Sequence, residues 1–208
     1  YGHGINGEIA DDYVWGPKLD IGTTAEQWNP VTKQYEQMPL VSSGKNNLKN
    51  FIRPGLVSNN NINVTQTGEN GFFRVGVNHI YNKGQFPNTT LNMTSFTTGG
   101  ELRVGDKFSI ETHTGYTRKS APQIWGTGYG NQGYLYQLLM WTGADYDIRQ
   151  YKDYWVTPNE SQNWLYDSWY DNPYLIAYEK LNGIDQNKLN ASFAATYSFS
   201  KALRLLFR

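Results

Sequence analysis

"FFRVGVNHIYNKG", residues 72–84, alternates two kinds of side chain. Phe73, Val75, Val77 and Tyr81 fall on one side of an extended chain, and Arg74, Gly76 and Asn78 fall on the other. Successive side chains leave a strand on opposite faces, so a period of two marks a β-strand between two unlike surroundings. The fold turns on what lies on each side.

The same pattern recurs outward from this stretch. "LVSNNNINVTQTG" (56–68) places Ile62 and Val64 on one face and Asn63 and Thr65 on the other, and "ENG" (69–71) supplies a tight reversal, so the two segments form a hairpin. After "KGQFPNTT" a third extended segment is predicted near 92–104, and "VGDK" turns it into "KFSIETHTGYTR", where Phe108, Ile110, Thr112 and Tyr116 oppose Ser109, Glu111, His113 and Gly115. Alternation returns in "KLNASFAATYSFS", with Leu189, Ala191, Phe193, Ala195, Tyr197 and Phe199 against Asn190, Ser192, Ala194, Thr196 and Ser198. A turn at Ser200–Ala202 then starts a last strand through Leu203, Leu205 and Phe207. Residues 1–50, rich in Gly, Asn, Pro and Gln, read as a loop-rich lead-in, 51–118 and 188–208 as strands, and 119–187 as a long aromatic loop. That loop carries Trp125, Trp141, Trp155, Trp164 and Trp169, with a short helix expected in "GYLYQLLMW".

Composition narrows the classes. Of 208 residues only 38% are hydrophobic, which is meagre for a conventional core. Lys plus Arg equals Asp plus Glu at 18 each, so no basic surface points to nucleic acid. Cysteine is absent, which excludes disulfides and thiolate metal sites. The sequence begins at Tyr1 and shows no basic segment followed by an apolar one, so any targeting signal is expected to have been removed or to lie outside this piece. "YLYQLLMW" (134–141) falls far short of the roughly 20 residues of a spanning helix, whereas barrel strands need only about 9 to 11. Two architectures then fit strands with one apolar and one polar face: an antiparallel sandwich with its apolar faces packed together, and an outer-membrane barrel with lipid outside and a wet lumen inside. Short turns alternating with long connections favour the barrel.

Chemistry-bearing clusters are few. His3, His79 and His113 match no metal or triad spacing, and no Gly-rich phosphate loop follows a strand. Asp145, Asp147 and Asp153 are near one another without the spacing of a calcium loop, so neither a metal nor a cofactor is assigned. Glu160 and Asp167 resemble a glycosidase pair, but sequence does not give the carboxylate separation on which that mechanism depends; no catalytic residue is assigned and no enzyme is expected. Trp155, Trp164, Trp169 and Tyr170, clustered with Asn, Asp and Gln, are the candidate substrate- or partner-binding residues, because such rings stack on sugar faces or peptide side chains. The same rings can equally pack the long loop together.

The order "WGPKLD", then "NNLKNFIRPG" leading to "NNNINVTQTGENGFFRVGVNHIYNKGQFPNTTLNMTSF", then "DIRQYKDYW" and "DNPYLIAYEKLNGIDQNKLNASFAATYSF" resembles the SusC/RagA family of TonB-dependent outer-membrane transporters of Bacteroidetes. The likeness covers most of the chain. It implies an all-β fold: an antiparallel transmembrane β-barrel portion, taken from the early part of a barrel of about 22 strands, with long extracellular loops and without the plug domain. It further implies a place in the outer membrane of a Gram-negative bacterium. The activity implied is nutrient import, in which a SusD-like surface lipoprotein lids the barrel, an oligosaccharide or peptide is captured, and the TonB–ExbB–ExbD complex acts through the plug. The strand ending in "LRLLFR" is expected to pair with further strands rather than to close a small barrel on residues 56–67. The reading from a different class is a soluble carbohydrate-binding β-sandwich module.

Overall fold

The computed structural model describes residues 16–124, 133–140, 143–165 and 170–208. In chain order the strands are β1 (Thr24–Asn29), β2 (Gln34–Pro39), β3 (Leu56–Gly68), β4 (Gly71–Lys83), β5 (Thr90–Val104), β6 (Phe108–Ala121), β7 (Trp155–Thr157), β8 (Ser161–Gln162), β9 (Ile184–Ser198) and β10 (Arg204–Phe207). Three short helices, α1 (Asn47–Phe51), α2 (Tyr134–Met140) and α3 (Pro173–Tyr178), and a 3-10 turn at Ile148–Lys152 complete the elements. The protein is mostly antiparallel β-sheet, in agreement with the all-β reading. The chain forms two compact units, one of residues 55–83, 90–122 and 183–208 and one of residues 1–54, 84–89 and 123–182.

The first of these is a single six-stranded sheet in the order β3-β4-β5-β6-β9-β10. Every pairing is antiparallel, and the register runs through Gln66↔Phe73, Phe73↔Gly100, Gly100↔Thr112 and Thr112↔Phe193. Phe73, Val75, Val77, Phe96, Leu102, Phe108, Ile110, Phe193 and Tyr197 consequently share one face, joined by Leu205 and Phe207 of β10. Arg74, Asn78, Glu111, His113 and Asn190 share the opposite face. The alternation in the sequence has become two chemically distinct surfaces of one sheet.

Large apolar side chains of this sheet are exposed. Ile62 is 69% exposed, Phe193 48% and Val75 38%, and every buried hydrophobic residue among the described ones belongs to the other unit. Among the described residues β10 pairs with β9 and not with β3, and each outer strand has one edge without a partner strand. The short connections, at 69–70, 105–107 and 199–203, lie at one end of the sheet; the longer ones, at 84–89 and 122–183, leave from the other.

The second unit corrects the reading of residues 1–50 as loop. Ala25 faces Met38 and Trp28 faces Tyr35 in the β1–β2 hairpin, whose turn places Lys33 at φ 57°. The hydrophobic contrast along "TAEQWN" and "QYEQMP" is too small for alternation to stand out, because Glu and Gln occupy both faces. The strand limits also shift: β6 runs to Ala121 and β9 begins at Ile184, so the long connection is shorter than 119–187. It holds the expected helix as α2, together with the β7–β8 hairpin and α3.

Gly71 is the residue on which the first hairpin depends. Its φ of 150° is closed to most side chains, and an added Cβ would collide with the Glu101 backbone carbonyl across the β4–β5 pair. Gly71→Ala is expected to lower stability by about 1–3 kcal/mol. Denaturant unfolding of the variant checks this, and an unchanged midpoint would contradict the role given to Gly71.

Candidate functional site

The second unit is built around aromatic rings. Phe51, Tyr134, Tyr146, Tyr151, Trp164 and Tyr174 are buried together with Leu138, Ile148 and Ile176, and Trp28, Phe86 and Tyr170 pack against them. Trp164 meets Tyr151 edge to face at 4.9 Å and Tyr146 at 5.8 Å, the geometry that aligns a ring's positive edge with its neighbour's negative face. Regular secondary structure is scarce here, so many backbone groups need partners from side chains.

Buried amides supply them. Asn163, fully buried, donates from Nδ2 to the carbonyls of Pro30 (2.9 Å) and Asp153 (2.8 Å), and its Oδ1 accepts from Trp28 Nε1 at 2.7 Å. Asn172, also fully buried, donates to the Tyr151 and Asn163 carbonyls, while its Oδ1 accepts from Tyr174 N and so caps α3, with Pro173 in the first turn. Asn47 bridges Tyr146 O and Ile148 N. Each amide both donates and accepts, which lets one side chain stand in for a strand neighbour.

Segments far apart in the sequence meet in this unit. Arg53, from "NNLKNFIRPG", donates to the Gly84 and Thr89 carbonyls of the "KGQFPNTT" loop, both at 3.2 Å. Within that loop Asn88, at φ 59°, donates to Ala177 O of α3, which begins in "DNPYLIAY". The unit therefore joins pieces more than a hundred residues apart.

Against this framework lies a cleft of about 180 Å³ lined by Trp28, Tyr35, Tyr146 and Tyr151, with Glu26, Gln27, Asp145 and Gln150 as polar neighbours. The Trp28 and Tyr35 rings stand 5.2 Å apart at 70°, forming a corner. Tyr35 is 43% exposed, so part of the corner is open to solvent. Sequence reading missed Trp28 and Tyr35 because the segment looked like loop; the usable signal was a Trp and a Tyr flanking "NPVTKQ" at hairpin spacing.

The residues singled out from sequence do not form one exposed patch. Trp164 is a core residue, only 2% exposed, and takes the packing role rather than presenting its ring to a ligand. Trp155 is half-buried in β7, where its carbonyl accepts from Lys33 Nζ at 2.7 Å. Tyr170 is half-buried against the core, and Trp169 lies outside the described residues, as do Trp125, Trp141, His3 and Asp167. His79 and His113 project from opposite faces of the sheet. The three aspartates have separate tasks: Asp153 pairs with Lys33 at 2.7 Å, Asp147 caps the 3-10 turn, and Asp145 borders the cleft. The Arg149 guanidinium on Asp147 holds its carboxyl below the usual carboxylate range. Among the described residues no group of three or more His, Asp or Glu comes together as a metal site.

Scanned against protein-family models the chain matches none, and a search of curated proteins finds no relative.

Two outcomes follow from the geometry of this unit. Replacing Asn172 by Ala removes a helix cap worth about 1 kcal/mol and strands two buried carbonyls, so stability should fall by about 2–4 kcal/mol in urea unfolding. Burial pushes the Tyr134 and Tyr174 hydroxyls up to about 12. Because the folded-state values lie above the ordinary 10, their contribution to stability is intact below pH 10 and is lost as pH rises toward about 12. Ultraviolet titration of tyrosinate should show these rings ionising late, in step with unfolding; early ionisation of the whole tyrosine set would refute their burial.

Proposed function

We propose that the six-stranded sheet is a portion of a transmembrane barrel wall and that the protein serves outer-membrane nutrient import. One observation carries the reading: the apolar face is a band of defined height, with aromatic rings at both limits and Phe73 and Phe193 between them. Along β6 the band runs from Phe108 to Tyr116, nine residues or about 27 Å at roughly 3.4 Å per residue. With a tilt of about 40° its height is about 20 Å, close to the roughly 25 Å apolar belt of outer-membrane barrels. Phe108 and Tyr197 face each other at one limit, and Phe96, Tyr116 and Leu189 form the row at the other. Beyond that row the face turns polar through His79, Thr94, Arg118 and Asn187. The segregation of turn lengths to opposite ends supports the same reading, since such barrels carry short turns on the periplasmic side and long loops outside.

In this arrangement the face with Arg74, Asn78, Glu111, His113 and Asn190 lines the lumen, and strands beyond β3 and β10 cover the open edges. β3 carries no Lys, Arg, Asp, Glu or Pro, the residues that guard an edge left in water. The loop-built unit meets substrate and a SusD-like lipoprotein lid, while TonB–ExbB–ExbD drives release through a plug. The resemblance in sequence supports these partners. The aromatic cleft also favours a second reading, a soluble carbohydrate-binding module, which needs no membrane.

Membrane fractionation separates the two, because the barrel portion should require detergent and the module should stay in buffer. Val75→Arg sharpens the test: facing lipid near the midplane it should cost about 2–4 kcal/mol in a bilayer. On a face open to water the same change should stay within about 0.5 kcal/mol, which would end the import reading.

A further inference from the structure

We propose that the cleft between the β1–β2 hairpin and residues 145–151 is a binding site for a quaternary ammonium group, carried by a small solute of the choline type. The inference stands apart from the import reading, because it rests only on the walls of one cleft in the loop-built unit. Charge sets the class of ligand. Glu26 and Asp145 border the cleft, and among the described residues no Lys, Arg or His lines it, so its charged lining is acidic. Glu26 stands on the same face of the hairpin as Trp28 and Tyr35, since alternate residues share a face and Trp28 pairs with Tyr35. The cations carried by the two bordering segments are engaged with other carboxylates: Lys33 is held by Asp153 and the Trp155 carbonyl, and Arg149 by Asp147. A positively charged ligand is what this lining leaves room for.

The remaining walls decide which cation. Trp28 and Tyr35 form the aromatic corner, and Tyr146 and Tyr151 add two further rings. The negative face of an aromatic ring attracts a cation, and Trp does so most strongly. A primary ammonium is tightly hydrated and must place three N–H donors, which walls built from these rings and from Met38, Val41 and Leu165 do not accept. A quaternary ammonium has no N–H to satisfy and presents its charge through methyl groups. It therefore packs on apolar and aromatic walls while the two carboxylates balance its charge. The volume of about 180 Å³ lies below the roughly 300–1,000 Å³ of pockets for drug-sized ligands, which restricts the ligand to a few heavy atoms. Trp28 is fixed by Asn163, whose amide is anchored to two backbone carbonyls, so one ring of the corner is set before a ligand arrives.

The test uses the whole chain in a non-ionic detergent that carries no ammonium group. The probes are choline and neohexyl alcohol, its isostere in which carbon replaces the charged nitrogen, and ligand-observed NMR titration gives Kd for each. Choline should bind at least about tenfold more tightly than the alcohol. Tyr35→Leu keeps apolar bulk but removes the ring, so it should weaken choline about threefold to fivefold and leave the alcohol within about twofold. Glu26→Gln and Asp145→Asn should each weaken choline about threefold to tenfold, by an amount that shrinks as salt is raised. Leu181→Ala, exposed and away from the cleft, should leave binding unchanged. Tyr35 is exposed enough for its variant to fold, which near-ultraviolet circular dichroism checks. Phosphocholine separates a lipid headgroup from a free solute: the two carboxylates should repel its phosphate, and phosphocholine bound more tightly than choline would overturn the assignment to a free solute. Absence of a saturable choline signal, equal affinity for the alcohol, or binding indifferent to Tyr35→Leu and to both carboxylate variants would overturn the site itself. The import reading fails independently: a chain that binds choline yet stays in buffer keeps the site and loses the barrel, and a membrane-bound chain that binds none does the reverse.

Discussion

The cross-strand register of the six-stranded sheet is the constraint from which the rest follows. It runs from Val64↔Val75 through Val75↔Thr98, Thr98↔Thr114 and Thr114↔Ala191, always pairing the same face. A slip of one residue at any pair would carry a whole strand's apolar set to the polar face, so strong contrast between the surroundings is what specifies the pairing. Two-residue periodicity then has a physical consequence beyond strand formation: the sheet presents two chemically distinct faces. The turn at Gly71 sets the starting register of β4, and the later pairings inherit it.

The two units solve opposite problems. The sheet is held by ladder hydrogen bonds between its six strands but buries no hydrophobic side chain among its described residues. The loop-built unit has a dense aromatic core but little ladder, and depends on Asn47, Asn163 and Asn172 to satisfy carbonyls and amides that no strand reaches. A buried Asn is costly unless every polar atom is paired, and here both ends of each amide have partners, which makes these side chains specific as well as stabilising.

That division bears on function. Binding surfaces are most useful where a rigid frame positions loop residues, and the amide scaffold provides such a frame without extending the sheet. Asn163 connects both roles: it ties Pro30 and Asp153 together in the interior and, through Trp28, orients the ring that borders the cleft. Lys33 adds a tie at the hairpin turn through Trp155 O and the Asp153 carboxylate.

The strands β3, β4, β5, β6 and β9, and the division of their side chains between two faces, were legible because alternation is a local property written into adjacent residues. The short helix at Tyr134–Met140 was legible for the same reason. The β1–β2 hairpin was not, since polar residues on both of its faces erase the contrast on which alternation depends. Nor could sequence separate Trp164 from Tyr35: both are aromatic residues among polar neighbours, yet one is enclosed by Tyr146 and Tyr151 and the other stands at a cleft. The sequence by itself determined the strands of the six-stranded sheet and the character of each of its faces, because backbone geometry converts spacing directly into sidedness. Only the tertiary structure decided which rings are interior and where a cleft opens, because those outcomes rest on contacts such as Trp28 with Asn163, 135 residues apart, whose partners no local pattern can name.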